Sequence, residues 1–183
     1  MKYTTHTLET APEAAKDTLA TAKSAYGFVP NLLGVMAEAP SLLKGYVTLQ
    51  QLFYETSFDA TEQQVIALTV SVANKCPYCV AAESVVAKMK KAPEQVVKAI
   101  REGEPIADAK LEALRRFTKS VFDARGWVPE AESERFLSAG YSKANAFEVI
   151  VGIALKTLSN YTNHFADTPV DEAFAAETWS PHD

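Results

Sequence analysis

Asp59-Ala-Thr-Glu-Gln-Gln-Val-Ile-Ala-Leu-Thr-Val-Ser-Val-Ala-Asn-Lys-Cys-Pro-Tyr-Cys-Val-Ala-Ala-Glu83 is the stretch whose reading decides the fold. Asp59 with Glu62 three residues later is a helix-start signal, in which acidic side chains close on the first free N–H groups. From it runs a helix whose positions Val65, Leu68, Thr69 and Val72 have the spacing of one buried face. Asn74 and Lys75 interrupt it, and a second helix starts around Cys76-Pro77 and continues to Lys90 or Lys91. Pro77 suits the first helical position, because the N–H it lacks has no intrahelical partner there. Two helices follow one another with no strand-like alternation between them.

The same pattern extends outward. Thr10-Ala-Pro-Glu13 reads as a capping box opening a helix to about Tyr26. Pro30 and Pro40 start further helices, the second running to about Thr56. Pro93-Glu94 opens a short helix that stops at Gly103, and others lie at 107–124 and 130–138, with Gly140 as a C′ residue. Ser142 caps a long apolar helix through about Phe165, and Pro169 marks a last short segment. The expectation is an all-α chain of nine or ten helices forming one domain over 1–183, with the cysteine-bearing core at about 59–103. One echo stands out: Gln64-Val-Ile and Glu148-Val-Ile are 148 − 64 = 84 residues apart and open similar helices. It suits either a duplicated two-helix unit or two buried helices that simply look alike.

The chain has 183 residues, 18 Lys plus Arg and 23 Asp plus Glu, for a net charge of −5. That balance argues against nucleic acid and anionic membrane surfaces as partners. The longest apolar run, Val65 to Ala73, falls short of the ~18 residues that span a bilayer. No secretory signal is visible in MKYTTHTLET, so the expected compartment is the cytoplasm, where a structural disulfide is not expected. The two cysteines, Cys76 and Cys79, therefore point to redox chemistry or metal binding. A tetrahedral zinc site needs about four ligands. Cys76, Cys79, Glu83 and His164 could supply them, but the histidines His6, His164 and His182 are scattered, and no bound metal or other cofactor is expected.

At about 100° per residue, Cys76, Cys79 and Glu83 fall within one sector of about 60°, so two sulfurs and a carboxylate share a helix face. The positive end of the helix dipole favours the thiolate, which is the reactive form. Glu83 opposes it, unless it is itself protonated or accepts the thiol proton as a general base; otherwise it is a solvated helix residue or one ion-paired with an Arg or Lys from elsewhere. Tyr78 is either a hydrogen-bond donor to the site or a packing ring. His164 has the pKa range of a base, and the 84-residue echo aligns it with Val80; otherwise it bonds the last carbonyls of its helix.

The stretch from Glu62 to Glu83 resembles the core motif of the AhpD-like alkylhydroperoxidase family, also called the carboxymuconolactone decarboxylase superfamily. Tyr26-Gly-Phe-Val-Pro-Asn31, Asn163-His164 and Thr168-Pro169 are similar to its peroxidase-related branch. The resemblance implies a helical subunit that assembles into trimers or hexamers and reduces hydroperoxides without metal, haem or flavin. It implies that Cys79 attacks the peroxide and that Cys76 resolves the product into a disulfide. A lipoyl-type or thioredoxin-like dithiol donor would then reduce that disulfide. The sequence departs from the family at the proton relay, with Glu83 where histidine is usual and Gln64 where glutamate is usual. Gln64 can hold a hydrogen bond but cannot shuttle a proton as a carboxylate does. Glu83, Tyr78 or His164 would have to compensate. Two other readings stay open: cofactor-free lactone chemistry of the decarboxylase kind, and a non-catalytic redox sensor that has lost the relay.

Overall fold

The computed structural model describes residues 3–181; His182 lies outside them. The described residues form nine α-helices and a closing 3₁₀ turn, with no strand among them. The helices are α1 (Glu13–Tyr26), α2 (Asn31–Met36), α3 (Pro40–Tyr54), α4 (Ala60–Ala73), α5 (Pro77–Met89), α6 (Glu94–Glu102), α7 (Ala109–Asp123), α8 (Glu130–Ser138) and α9 (Lys143–Ala166), and the turn is Glu172–Glu177. The all-α expectation holds. None of the helices among the described residues is long and apolar enough to cross a membrane.

Local chemistry sets most boundaries. Asp59 Oδ1 accepts from the N–H groups of Thr61 and Glu62 at 2.8 Å, and Glu62 Oε2 accepts from the Asp59 N–H at 3.0 Å. This capping box satisfies donors that a helix start leaves free. Ser142 and Asn145 do the same for α9. The box expected at Thr10 and Glu13 does not form. Pro12 is the N-cap of α1, and the Thr10 hydroxyl instead accepts the Thr7 N–H at 2.9 Å, closing a tight turn before the helix.

Helix α4 is the centre of the molecule. Residues 62–71 are buried on every side, beneath α5, α6, α7 and α9. The single stripe expected of Val65, Leu68, Thr69 and Val72 is thus corrected: a helix that is apolar all round is covered all round, and Val72 is only half-buried. Helix α9 lies parallel to α4. Glu148 accepts the Ser57 N–H at 3.0 Å near one end, and Asn74 donates to Asn160 at 2.8 Å near the other. A Cβ on Gly152 would meet Ile66 at 2.6 Å and Phe53 at 2.7 Å, so glycine lets α9 approach α3 and α4 this closely. The duplicated two-helix unit is absent. Position 76 + 84 = 160 corresponds to the joint between α4 and α5, and α9 runs through it unbroken. The echo reflects two buried helices side by side.

After α9 the chain folds back over α5. Asp171 accepts the Asn31 N–H at 3.1 and 3.2 Å and the Tyr78 hydroxyl at 2.5 Å. Further on, Arg101 donates to the carbonyls of Glu177 and Thr178, and Trp179 Nε1 donates to the Arg101 carbonyl. This return strap holds α5 from outside while α4 and α9 hold it from within.

Candidate functional site

The joint between α4 and α5 places the sulfurs. Lys75 is left-handed, with φ +52°. The Cys76 N–H reaches back to the Ser71 carbonyl at 3.0 Å, and the Lys75 N–H reaches Val72 at 2.8 Å. That pair of bonds is a Schellman closure of α4. The same Cys76 is the N-cap of α5, with Pro77 at the first helical position and the Val80 N–H on the Cys76 carbonyl. One residue therefore ends one helix and starts the next, which fixes Cys76 and sets Cys79 in the first turn of α5. Both cysteines are free thiols and fully enclosed, Cys76 at 0% and Cys79 at 2% exposure.

The two sulfurs are electrostatically unequal. Burial alone would push Cys79 up. A hydrogen bond from Cys76, the Lys156 cation and the Ser159 hydroxyl together outweigh burial and the opposing charge of Glu83, holding Cys79 well below the ordinary thiol range. Ser159 is the weakest of these three, since its one proton is also in reach of the Lys156 carbonyl at 3.2 Å. Cys76 moves the other way. Its hydrogen bond to Cys79, its burial and the charge on Cys79 all push it far up. Of the two sulfurs, Cys79 is the one biased toward the thiolate and Cys76 the one biased toward the thiol.

Lys156, on the inner face of α9, is 2% exposed and bonds Glu83 Oε1 at 2.5 Å. Burial would lower its pKa, but the charges of Glu83 and Cys79 outweigh that and push it up, so it stays a cation. Gln64, with its amide nitrogen turned toward Glu83, donates to Glu83 Oε2 and to the Glu83 carbonyl, both at 3.2 Å. Glu83 is thus held from α9 and α4 at once, and with 16% side-chain exposure it is the member of the cluster that reaches toward solvent. Asn163, one turn beyond Ser159, donates from Nδ2 to Cys79 Sγ at 3.2 Å.

Three tyrosines lie within reach of the Glu83 charge. Burial first, and then the charge of Glu83, raise the pKa of Tyr26 and Tyr54. Tyr46 is raised by burial despite the Lys156 cation. All three stay neutral phenols. Tyr26 and Tyr54 are partly exposed, and Lys90 sits 3.8 Å above the Tyr54 ring. They make the outer, aromatic part of the cluster.

Of the residues singled out in the sequence, Cys76, Cys79, Glu83 and Gln64 come together. Tyr78 and His164 do not join them. The Tyr78 hydroxyl donates to Asp171 and accepts the Leu32 N–H at 3.2 Å, and its ring packs edge-on against Phe174. Its one proton is committed to the return strap. His164 is exposed beside Tyr161, Thr162 and Phe165. Its neighbour Asn163 faces Cys79, because one residue turns a helix by about 100°. Glu62 is occupied elsewhere, by Lys110 at 2.8 Å and Tyr141 at 3.0 Å. Among the described residues no three His, Cys, Asp or Glu side chains converge as a metal site.

Lys156, Ser159 and Asn160 were not singled out in the sequence, and Asn163 was marked there only as part of the Asn163-His164 resemblance, with no role at the sulfur. The four recur every three to four residues along one face, and Lys156 has Gly152 and Asn160 rather than an acid at four residues' distance on either side. A lysine without a helical partner inside an apolar helix is the signal that marks them.

Residues 40–120 match the carboxymuconolactone decarboxylase family. No curated protein matches the chain. The fold is shared with an alkylhydroperoxidase AhpD core, a peroxidase-related protein from Ralstonia eutropha JMP134, at TM-score 0.84 and 19% identity over 99% of this chain and 97% of that one. A peroxidase-related protein from Silicibacter sp. TM1040 aligns at 0.80 and 18%, over 97% and 96%. The debrominase Bmp8 in complex with 2,3,4-tribromopyrrole aligns at 0.79 and 19%, over 97% and 95%.

Proposed function

We propose that this chain, whose residues 40–120 match the carboxymuconolactone decarboxylase family and whose fold is shared with an alkylhydroperoxidase AhpD core, is a thiol-dependent peroxidase of that superfamily that reduces organic hydroperoxides through Cys76 and Cys79. The observation that carries this reading is the enclosed pair of free thiols at the start of α5, with Asn163 donating to the Cys79 sulfur and the Lys156 cation favouring charge on Cys79 rather than Cys76. A thiolate is the nucleophile, and an adjacent protonated thiol is the partner that traps its oxidised product.

The Cys79 thiolate attacks the outer oxygen of the hydroperoxide. An S–O bond forms, the O–O bond breaks, and the products are a sulfenic acid on Cys79 and an alkoxide. The alkoxide takes up the proton that Cys79 had released, passed through Glu83. Lys156 stays charged as the counter-ion. Cys76 then attacks the sulfenic sulfur, releasing water and closing a Cys76–Cys79 disulfide, and an external dithiol of lipoyl or thioredoxin type reduces it. In sum, hydroperoxide and dithiol become alcohol, water and an oxidised dithiol. Gln64 positions Glu83 in this scheme and moves no proton. The whole chain, 1–183, acts as one helical unit in the cytoplasm. A homo-oligomer is supported by the exposed apolar side chains Phe147, Ile150, Tyr161 and Phe165 of α9.

Purified protein supplied with an organic hydroperoxide and a dithiol should release the alcohol and pass through an intramolecular disulfide visible by mass spectrometry. Cys79→Ser should abolish turnover, and Cys76→Ser should stop after one oxidation. Thiols that stay reduced under peroxide would overturn the reading. The fold shared with a debrominase and the tyrosines within reach of the Glu83 charge favour a second reading, in which the same dithiol reduces a halogenated aromatic. Carbon–halogen bond, two thiols in; carbon–hydrogen bond, disulfide, halide and proton out. Bromide release from a bromopyrrole, with no peroxide consumption, would select it.

A further inference from the structure

Cys79 has an amide beside it that is only half used. Asn163 is 5% exposed; its Nδ2 donates to Cys79 Sγ, while its Oδ1 is buried with no partner among the described residues. One turn earlier on the same face, Asn160 is fully buried. Its Oδ1 accepts from Asn74, and its Nδ2 has no partner among the described residues. A buried acceptor and a buried donor, three residues apart on a helix, are neighbours. Each costs about 1–3 kcal/mol if left without a partner, and such groups in native proteins call for an explanation.

We propose that Asn163, completed by Asn160, is the subsite that receives the terminal O–H of the hydroperoxide at Cys79; this rests on the peroxidase reading above. The chemistry matches at each atom. The hydroperoxide O–H proton is donated to Asn163 Oδ1, and the oxygen bearing it accepts from Asn160 Nδ2. The hydrogen bond from Asn163 Nδ2 meanwhile keeps the sulfur beside that oxygen. On attack, the same O–H becomes that of the sulfenic acid, so the two amides hold the group before and after the O–O bond breaks without moving. No carboxylate or cation is required there, so the subsite recognises the O–O–H end common to alkyl hydroperoxides and hydrogen peroxide. A water molecule offers the same donor and acceptor, and the test separates the two occupants.

Three quantities are measured on wild type, Asn163→Ala and Asn160→Ala: the rate of Cys79 oxidation by hydrogen peroxide, the rate of its alkylation by iodoacetamide at the same pH, and the pH dependence of the thiolate absorbance. Recognition of the peroxide predicts that Asn163→Ala slows oxidation by about tenfold or more, the scale of one lost preorganised hydrogen bond, with a much smaller change in alkylation. Asn160→Ala should slow oxidation while leaving the thiolate titration in place. Equal losses in both reactions would mean that the amides act on the thiolate alone, and unchanged oxidation would mean a structural water; either overturns the subsite. If Asn163→Ala does not fold, Asn163→Ser gives the same readout. Wild-type thiols that alkylate normally but never oxidise overturn the peroxidase reading itself, an outcome distinct from loss of selectivity in the variants.

Discussion

The first turn of α5 and the inner face of α9 meet at Cys79, and they contribute different things. The α5 turn supplies both sulfurs from four consecutive residues, fixed by a backbone closure that needs only Lys75, Cys76 and Pro77 in sequence. The α9 face supplies no nucleophile. It supplies Lys156 and Ser159, which bias the charge toward Cys79, and Asn163, whose amide donates to the Cys79 sulfur. A CxxC motif at a helix start is thus a symmetric pair until a second helix, some eighty residues away, breaks the symmetry. Reactivity and its tuning come from separate parts of the chain, so they are separable by mutation.

Lys156→Met should have the largest effect. It removes the cation from Cys79 and leaves Glu83 unpaired, costing on the order of 3 kcal/mol of stability and raising the Cys79 pKa; a melting curve and a thiolate titration would show both. Adding Glu83→Gln should restore much of the stability without restoring the thiolate, which would establish that the buried pair serves Cys79 rather than the fold.

Gly152→Ala comes next. The added methyl would meet Ile66 and Phe53 at under 3 Å, so about 1–3 kcal/mol should be lost by overpacking. Because α9 must shift to relieve the clash, the Cys79 titration should move with it. An unmoved titration would mean that the placement of α9 matters less to Cys79 than Lys156 alone.

The pH dependence of stability separates the two sulfurs. The depressed Cys79 contributes stability that is fully present above the unfolded thiol value of about 8.5 and is lost as pH falls through its folded value. The raised Cys76 contributes stability that is present below about 8.5 and is lost as pH rises through its folded value. Their joint contribution is therefore greatest near the unfolded value. Cys79→Ser should flatten the acid side of that profile, as seen in denaturant midpoints across pH.

The smallest effect is expected at the joint itself. Lys75→Gly relieves a left-handed backbone and should stabilise by roughly 0.5–1 kcal/mol with no change in thiol chemistry. A loss of stability would mean that the Lys75 side chain contributes more than its backbone strain costs.

The two regions also differ in how far they could be read in advance. The helices, the box at Asp59 and Glu62 and the shared face of Cys76, Cys79 and Glu83 follow from short-range periodicity and capping, which act within a few residues. The capping box expected at Thr10 follows the same rule and fails, because a tight turn claims the hydroxyl first. The α9 contribution is tertiary. Its apolar residues suggest an ordinary buried helix, yet Phe147, Ile150, Tyr161 and Phe165 point outward while Lys156, Asn160 and Asn163 are enclosed. Only the pairing of α9 with α5 shows why a lysine and two amides lie inside, and why Asn163 rather than His164 faces the sulfur.

The thiolate absorbance of the wild-type protein across pH, compared with Cys79→Ser and Lys156→Met, decides whether the Lys156 cation biases the charge toward Cys79. In the wild type the thiolate should already be formed well below the ordinary thiol range; it should be absent in Cys79→Ser and displaced to higher pH in Lys156→Met. A low-pH thiolate that survives Cys79→Ser, or one indifferent to Lys156→Met, would contradict that bias.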